Sequence, residues 1–485
     1  MKREQYVKIK EYLREVIRGT AFENHVMTVG GCVRDELMNV EIKDIDLCVS
    51  LPEGGIRFAE WLKQKGLTTK GVTVYPNFGT AMLHLKAFPR VELEFVQTRR
   101  EKYIDHSCRN PLTAFGSIRE DCLRRDLTIN ALYCNLSTNE IIDITGNGVN
   151  DIRDHIIRTP ADPDLTYDDD PLRILRCIRF ASRYGWEIEE ETMTGMKRNV
   201  FRLEIITKER VHDEFCRMLT CRYPVMALRL LRETGAMHYV IPEMEETYTA
   251  PCDGLSGVTL WEHTLRVVQE VAALTIEAGE EDRRILSLGA LLQGITGRHG
   301  GRHGEADGRA IDRILRTLKF SNDEIASVAF LVAHIADLHV RGDRCEPIAD
   351  RELRRLQYTC KGEGRFRQLM TLAQAVETAT HRREDGCPAT QAEDLVARTE
   401  DESRGHGPLW LQGLPVRPRG DAGKGPRPRS RRPPVPGLPV GAGPHRPLDK
   451  SRAGGQTPAR LRPRFNHPID RDYEIRKSLY PRMDP

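Results

Sequence analysis

Apolar residues in the first hundred positions recur in patterns that predict both helices and strands. A spacing of three to four joins Tyr6, Ile9 and Leu13 and predicts a helix within residues 1–28. That region ends in a short apolar run at residues 25–29, which predicts a strand. A second amphipathic helix is predicted near residues 56–65, and further strands at residues 72–75, 82–85 and 91–98. Helices and strands both occur in this stretch, which indicates a domain built from the two kinds of element.

The pattern after this region is helical. Asp168 to Asp170 precede Pro171, and an acidic start with proline in the first turn favours a helix. A leucine-rich helix pair follows within residues 221–252. We therefore predict an α+β head followed by all-helical neck, body and further regions. The predicted limits are 1–147 for the head, 148–252 for the neck and body, 253–387 for a third helical domain and 388–485 for a tail.

Composition adds three constraints. The 485 residues are enough for about three domains and a large buried core. No apolar run reaches the ~20 residues of a membrane span, so no membrane association is expected. The first residues lack the apolar segment of a signal peptide, which predicts a cytoplasmic protein. Twelve scattered cysteines without a C-x-x-C pair indicate neither a zinc site nor a disulfide framework.

The tail differs from the rest of the chain in composition. Residues 388–485 hold 17 of the 28 prolines, and 19 lysines and arginines against 11 acidic residues. The rest of the chain is therefore net acidic, and RNA contact there requires a local basic patch. The tail has no helical or strand period, and such a composition does not bury a core. A reading-frame artefact, a disordered linker and a functional RNA-binding tail all stay open.

The densest polar signal of the head follows the first predicted strand. Gly30 and Gly31 precede a short predicted helix, so backbone N–H groups and a helix N-terminus face one point, which favours phosphate. Asp44 and Asp46 lie two residues apart on the next strand and share one face. Carboxylates at this spacing can hold divalent cations, and with a phosphate cradle they suit transfer from a nucleoside triphosphate. The glycine pair alone is a weak signal. The two aspartates alone are weaker, because alternating acids usually mark a solvated strand face.

A second polar cluster reads Arg-Arg-Asp-Leu-Thr-Ile-Asn-Ala at residues 124–131. The guanidinium of Arg125 suits phosphate oxygens, and Asp126 and Asn130 suit ribose hydroxyls. A surface ion pair at a helix start would account for the same residues.

A third cluster opens the helix that begins near Pro171. It contains an acidic pair and three arginines spaced three residues apart: Asp169, Asp170, Arg173, Arg176 and Arg179. One interpretation is helix capping with a solvated basic stripe. The other is base selection, because an Asp accepts from the exocyclic amine of cytosine or adenine while an Arg donates to the adjacent ring acceptors. Uracil and guanine would leave these groups unpaired. The charged segment 209–215 is expected to buttress this cluster.

Together these motifs resemble the class II family of tRNA CCA-adding enzymes and bacterial poly(A) polymerases. The matching segments are Gly-Gly-x-Val-Arg-Asp at 30–35, Asp-x-Asp at 44–46, Arg-Arg-Asp-x-Thr-Ile-Asn-Ala at 124–131, and the acid pair with Arg at 169–173. The first acid of that pair is commonly Glu in the family and is Asp169 here. The family also has Glu-x-x-x-x-Arg, which matches Glu94 to Arg99; a solvent-facing acid on an edge strand is the alternative for Glu94.

The resemblance implies a head domain built on a mixed β-sheet. It also implies a role for each matched position. Asp44, Asp46 and Glu94 would be catalytic, and Asp44 and Asp46 would hold Mg²⁺. Nucleotide binding would fall to Gly30, Gly31, Arg34, Arg125, Asp126, Asn130, Asp169, Asp170, Arg173, Arg176 and Arg179.

The resemblance extends to an HD-type helical domain at residues 253–385. Glu262-His263-Thr264 and His303-Gly304-Glu305 match its histidine segments, but Gln293-Gly294 stands where a metal-binding His-Asp pair is required. We therefore expect a degenerate domain that supports the fold or cradles tRNA.

The predicted function is template-independent addition of the 3′-terminal CCA to tRNA with CTP, ATP and Mg²⁺. The expected partners are tRNA and the two nucleotides, and no protein partner is implied. Bacterial poly(A) polymerases tend to carry Gly-Arg-Arg-Phe where this chain has Asn77-Phe78-Gly79-Thr80, which favours CCA addition. A poly(A) polymerase and a catalytically silent tRNA-binding protein are the alternatives. An active HD phosphohydrolase is disfavoured by Gln293-Gly294.

Overall fold

The computed structural model describes residues 1–69, 71–76, 79–102, 112–252, 255–296, 305–342 and 350–380. Three features of the sequence lie outside these ranges: Asn77 with Phe78, His303 with Gly304, and the whole of 388–485. The predictions that rest on them stay predictions.

A seven-stranded mixed sheet organises the first third of the chain. Its order is β3-β4-β5-β2-β1-β8-β9, with β2 and β5 parallel and the other neighbours antiparallel. These strands are β1 (Val26–Val29), β2 (Ile45–Val49), β3 (Thr73–Tyr75), β4 (Thr80–Leu85), β5 (Phe88–Gln97), β8 (Leu132–Asn135) and β9 (Ile141–Asp143). Two further pairs are β6 (Arg99–Lys102) with β7 (Leu112–Phe115), and β10 (Ile156–Ile157) with β11 (Glu187–Ile188).

Helices surround the sheet and make up most of the remaining described chain. In the head they are α1 (Arg3–Ile17), α2 (Gly31–Leu37), α3 (Gly54–Gln64) and α4 (Ile118–Leu123). The next group is α5 (Gly148–Asp154), α6 (Pro163–Asp169), α7 (Leu172–Tyr184), α8 (Glu190–Asn199), α9 (Lys208–Leu219), α10 (Pro224–Thr234) and α11 (Met237–Val240). The last group is α12 (Leu260–Leu274), α13 (Glu280–Thr296), α14 (Glu305–Thr317), α15 (Asn322–Gly342), α16 (Asp350–Cys360) and α17 (Glu363–Thr380).

The two faces of the sheet are packed differently. Helices α1 and α3 cover one face, where Leu13 and Phe58 join Leu47 and Phe95 in a buried apolar cluster. The alternation of strand side chains sends Asp46 to the other face. That face has a smaller apolar cluster, contributed by the strands and by Cys122 of the short helix α4. The carboxylate face therefore stays open to polar chemistry.

The helical region shares one buried apolar cluster. The cluster begins at Leu127 and Ile129, near the end of the head, and continues to Ala379 in α17. It crosses residue 252 without a break, since Leu231 of α10 and Trp261 of α12 both belong to it. The limits predicted at residues 147, 252 and 387 remain predictions.

The predicted fold class, an α+β head with a mixed sheet followed by helices, is confirmed. The helical region additionally contains the short parallel pair β10–β11. No helix within the described ranges combines the length and apolar character needed to cross a membrane.

Candidate active site

Three acidic side chains meet at adjoining strands of the head. Asp46 of β2 lies directly opposite Glu94 of β5 in the parallel register. Asp44 is exposed and comes immediately before β2. The sequence placed Asp44 and Asp46 on one strand, and the register adds Glu94 to their neighbourhood.

The electrostatics of these groups are those of crowded anions. Burial, together with the neighbouring carboxylates of Glu94 and Asp44, raises the pKa of Asp46 to about 6, while Arg125 opposes this shift. Burial and the charges of Glu92 and Asp44 also raise the pKa of Glu94. A cation placed among these carboxylates would relieve their mutual repulsion.

The donor set fits a hard divalent cation whose coordination is completed by substrate. Within the described ranges, no three His, Cys, Asp or Glu residues form a metal-binding group by themselves. Mg²⁺ is usually bound by one or two carboxylates plus substrate phosphates rather than by a full protein cage. Asp44 and Asp46 offer that kind of oxygen pair.

Gly30 and Arg125 define the point beside the carboxylates where the phosphate cradle was predicted. Gly30 has a positive φ of 75°, and its N–H donates to the Leu132 carbonyl at 3.0 Å. This donor is therefore used by the sheet, and Gly31 opens α2. A Cβ at Gly30 would lie 3.4 Å from Nη1 of Arg125, so the guanidinium sits directly against this glycine.

Arg34 is held inside the protein by two partners. Its guanidinium donates to Asp35 at 2.8 Å and to Asn130 Oδ1. It also stacks near the ring of Phe180, with 5.2 Å between the guanidinium carbon and the ring centroid. A phosphate role for Arg34 would require exchange of these contacts, and that role stays a prediction.

A buried polar chain runs from the head into the neck through Asp126. Asn130 Nδ2 donates to Asp126 at 3.2 Å, and Arg176 Nε donates to it at 2.8 Å. Burial opposes ionisation of Asp126, but the charge of Arg176 and these hydrogen bonds lower its pKa to about 2. Arg176 and Arg179 both pair with Glu214 of α9, at 3.5 and 2.5 Å.

Glu214 of segment 209–215 pairs with two arginines of α7, which supports the buttressing role expected of this segment, but the role itself stays a prediction. Arg210 from the same helix pairs with Asp170 at 2.7 Å. The interpretation of α7 as a solvated basic stripe is wrong for Arg173 and Arg179, which are 7% and 6% exposed.

The residues proposed to select the base lie together at the start of α7. Arg173 donates to the backbone carbonyls of Thr166 and Arg124, at 3.0 and 2.7 Å. Asp169 is less buried, 3.9 Å from Arg173, and burial together with Glu101 and Asp170 raises its pKa against the effect of Arg173. It lines a cavity of about 770 Å³ with Arg124 and Thr166. In this arrangement Asp169 has the more open carboxylate, whereas Asp170 is engaged by Arg210.

Sequence reasoning missed Asp121 and Tyr133. Asp121 is fully buried on α4 and accepts hydrogen bonds from both arginines of the Arg-Arg-Asp motif and from the Tyr133 hydroxyl. The available signal was the spacing, since Asp121 stands three and four residues before Arg124 and Arg125 on a predicted polar cluster.

The residues of the predicted HD-type segment make close packing contacts. His263 lies 3.1 Å from the Thr380 hydroxyl. A Cβ at Gly294 would stand 2.1 Å from Oγ1 of Thr264, so a side chain at this position would collide. The loss of the metal-binding pair, and the HD-type resemblance itself, stay predictions.

Comparison with known protein families adds two matches. Residues 26–158 match the family described as the poly A polymerase head domain. Residues 185–247 match the family described as a probable RNA and SrmB-binding site of polymerase A. The first range contains the carboxylates and the Arg-Arg-Asp motif, and the second contains α8 to α11.

Two curated relatives are similar to the chain over less than half of their length. A tRNA nucleotidyltransferase of Schizosaccharomyces pombe is 34% identical over 240 residues, which are 46% of this chain and 47% of that protein. The mitochondrial CCA tRNA nucleotidyltransferase of Saccharomyces cerevisiae is 37% identical over 218 residues, 42% of this chain and 40% of that protein.

Solved structures share the fold over a longer stretch. A CCA-adding enzyme in complex with ATP has a TM-score of 0.59 at 20% identity, covering 86% of both chains. The Bacillus stearothermophilus CCA-adding enzyme in complex with CTP has a TM-score of 0.56 at 22% identity, covering 83% of both. At these identities the likeness concerns the fold.

Proposed function

We propose that the chain is a class II tRNA nucleotidyltransferase that adds the 3′-terminal CCA to tRNA. The substrates are CTP, ATP and a tRNA that lacks this end. The proposal draws on relatives named for this activity and on the site chemistry of the head. Enzymes of this family generally use divalent metal ions, and we propose Mg²⁺ as the ion.

One observation carries the proposal. Asp46 and Glu94 are register partners, and Arg125 lies beside Gly30 close enough to lower the pKa of Asp46. Two carboxylates and a guanidinium near one point support the proposal. Nucleotidyl transfer needs both, because it joins two anionic substrates.

The reaction forms a bond between the tRNA 3′-oxygen and the α-phosphorus and breaks the bond from that phosphorus to the bridging oxygen of the leaving pyrophosphate. Mg²⁺, when bound, lowers the pKa of the attacking hydroxyl and neutralises charge on the phosphates. Asp44 and Asp46 orient the 3′-hydroxyl, with Glu94 assisting. Arg125, with Arg34, orients the triphosphate, and Asp126 and Asn130 position the ribose.

Base choice is assigned to the start of α7. Arg173 donates toward the ring acceptors of cytosine or adenine, and Asp169 or Asp170 accepts from the exocyclic amine. Arg176 and Arg179 belong to the supporting network through Asp126 and Glu214. Uracil would leave the carboxylate facing another acceptor, which disfavours UTP.

The test is incorporation of labelled CTP and ATP, separately and together, into a tRNA transcript without its CCA end. We expect two C residues and then one A, with no further addition. Asp44→Ala should abolish incorporation, whereas Asp312→Ala, which removes an exposed carboxylate on α14, should leave it intact. Unlimited A addition to any RNA would identify a poly(A) polymerase instead. tRNA binding without incorporation would identify a silent RNA-binding protein.

A cytoplasmic location stays part of the proposal. Two relatives are named as mitochondrial, which makes location a property to measure for this chain. Imaging of the tagged full-length chain would decide between the two compartments.

A further inference from the structure

Asp121 is a buried carboxylate at the centre of an arginine cluster. Its Oδ1 accepts from Arg124 Nη2 at 2.6 Å and from the Arg99 backbone N–H at 3.1 Å. Its Oδ2 accepts from the Tyr133 hydroxyl at 2.6 Å and from Arg125 Nη2 at 3.1 Å. The carboxylate is inaccessible to solvent, so it serves these groups and no external ligand.

The contacts of Arg125 show what this carboxylate achieves. Arg125 Nε donates to the Tyr133 hydroxyl at 3.3 Å, and that hydroxyl donates onward to Asp121. Arg125 Nη1 donates to the Asn130 carbonyl at 3.3 Å and faces Gly30. A guanidinium has five N–H groups. Three have acceptors among the described residues, and one of the other two is on Nη1, the nitrogen that faces Gly30.

Arg124 links the same carboxylate to the base-selecting residue. The Arg124 guanidinium is fixed between Asp121 and Glu101, whose Oε1 it meets at 3.0 Å. The Arg124 carbonyl accepts from Arg173 Nη2 at 2.7 Å. The orientation of Arg173 therefore depends on a backbone segment that Asp121 anchors.

We propose that Asp121 is a positioning residue for both triphosphate binding and base selection. Through Arg125 and Tyr133 it aims a guanidinium at the phosphate site beside Gly30. Through Arg124 it fixes the carbonyl on which Arg173 rests. This inference rests on the proposed nucleotidyl transfer and adds to it a residue that touches neither substrate.

Charge supports the geometry. Arg99, Arg124 and Arg125 all contact Asp121 or its neighbours, and they would repel one another without an anion among them. Burial opposes the ionised form of Asp121, but Arg125, Arg124 and the Tyr133 hydroxyl lower its pKa to about 2. The carboxylate is therefore an anion throughout the range in which the enzyme would work.

The test compares binding of CTP and inorganic tripolyphosphate, each with Mg²⁺, by isothermal titration calorimetry. Tripolyphosphate reports the phosphate site alone. The variants are Asp121→Asn and Tyr133→Phe. The matched control is Glu324→Gln, since the Glu324 carboxylate also accepts from a backbone N–H and from an arginine but lies on α15. We expect about tenfold weaker tripolyphosphate binding for Asp121→Asn, a smaller loss for Tyr133→Phe and none for the control.

A double-mutant cycle separates positioning from general damage. If Asp121 acts through Arg125, adding Asp121→Asn to Arg125→Ala should weaken tripolyphosphate binding by less than about threefold further. The CTP-over-UTP preference should also fall in Asp121→Asn, because Arg173 loses its anchored carbonyl. Additive losses, or wild-type tripolyphosphate binding by Asp121→Asn, would overturn the inference.

The outcomes are distinct from failure of the proposed function. A wild-type chain that binds neither CTP nor tripolyphosphate contradicts nucleotidyl transfer itself and removes this inference with it. Wild-type binding with unaffected variants contradicts the role of Asp121 alone. If Asp121→Asn does not fold, Tyr133→Phe decides, because it keeps the ring and removes one hydroxyl; unchanged binding there overturns the inference.

Discussion

At the scale of single residues, the carboxylates on one face of the sheet lie close enough to repel one another, which does not favour stability. Asp46 and Glu94 are partly buried register partners, the Glu94 carboxylate raises the pKa of Asp46, and the Asp44 carboxylate raises the pKa of both. A protein without a cation here holds these acids close at a cost in free energy. We therefore expect a bound cation, and not packing, to account for their arrangement.

This argument predicts that Asp46→Asn abolishes incorporation without lowering the unfolding temperature of the metal-free protein, because it removes one of three repelling charges. Mg²⁺ with CTP should raise the unfolding temperature of the wild type and leave that of the variant nearly unchanged. Differential scanning fluorimetry with and without these ligands measures both effects. A variant that unfolds at a clearly lower temperature would show that Asp46 has a structural role instead.

Arg173 should behave differently, since it is both buried and bonded to the backbone. Arg173→Ala leaves the carbonyls of Thr166 and Arg124 without this donor, which should cost about 2 kcal/mol of unfolding free energy. It should also reduce the CTP-over-UTP preference by about tenfold or more. Urea unfolding and competitive incorporation measure the two effects. Intact discrimination in a destabilised variant would reduce Arg173 to a structural residue.

The ion pairs of Asp121 should make the protein less stable as the pH falls. Its pKa is lowered to about 2 in the folded protein, below the ~3.9 of an unfolded chain. The stabilisation is therefore complete above about pH 4 and is lost as the pH falls toward 2, and it amounts to about 2 kcal/mol. The difference in unfolding free energy between wild type and Asp121→Asn should shrink over this interval. A constant difference from pH 5 to 2.5 would contradict the ion-pair account.

At the scale of elements, much of the head could be predicted from the sequence. The strands predicted at residues 72–75, 82–85 and 91–98 match β3, β4 and β5 within a few residues. The apolar run at residues 25–29 and the short helix predicted after the glycines match β1 and α2. The register that places Glu94 opposite Asp46 could not be predicted, because parallel pairing joins strands far apart in sequence. The pairing of Arg173 with two backbone carbonyls was hidden for a related reason, since periodicity shows a helical side and not what covers it.

Helix α3 packs closely on β5, the strand that carries Glu94. A Cβ at Gly55 would stand 2.8 Å from the Phe95 carbonyl, so only glycine allows this approach. Gly55→Ala should lower the unfolding free energy by about 1–3 kcal/mol although alanine favours helices. Because Phe95 adjoins Glu94, incorporation should also fall.

Gly71→Ala is the control for this prediction. Gly71 has no atom within 4 Å of an added Cβ and should tolerate alanine within about 0.5 kcal/mol. Chemical denaturation of both variants provides the comparison. Equal stability of the two would mean that α3 shifts freely on the sheet.

At the scale of the whole molecule, the described chain joins a polar head to a helical region through buried charges as well as through apolar contact. Asp126 of the head pairs with Arg176 of α7, and the Arg124 carbonyl of the head accepts a hydrogen bond from Arg173 of the same helix. One apolar cluster then continues from Leu127 to Ala379. The apolar cluster includes residues on both sides of residues 147 and 252, and the domain limits predicted there stay predictions.

The extent of that core gives a last prediction, for a chain that stops after residue 387. Every residue of the described apolar clusters lies before this point, so the shortened chain should unfold within about 2 °C of the full chain. Its affinity for tRNA sorts the interpretations of residues 388–485. Residues 388–485 have an excess of lysine and arginine. If they bind tRNA, the shortened chain should bind tRNA more weakly than the full chain at low salt, and this difference should disappear at higher salt. Equal affinity of both chains at low salt would exclude a functional RNA-binding tail, and a lower unfolding temperature of the shortened chain would show that the stable fold extends beyond residue 387.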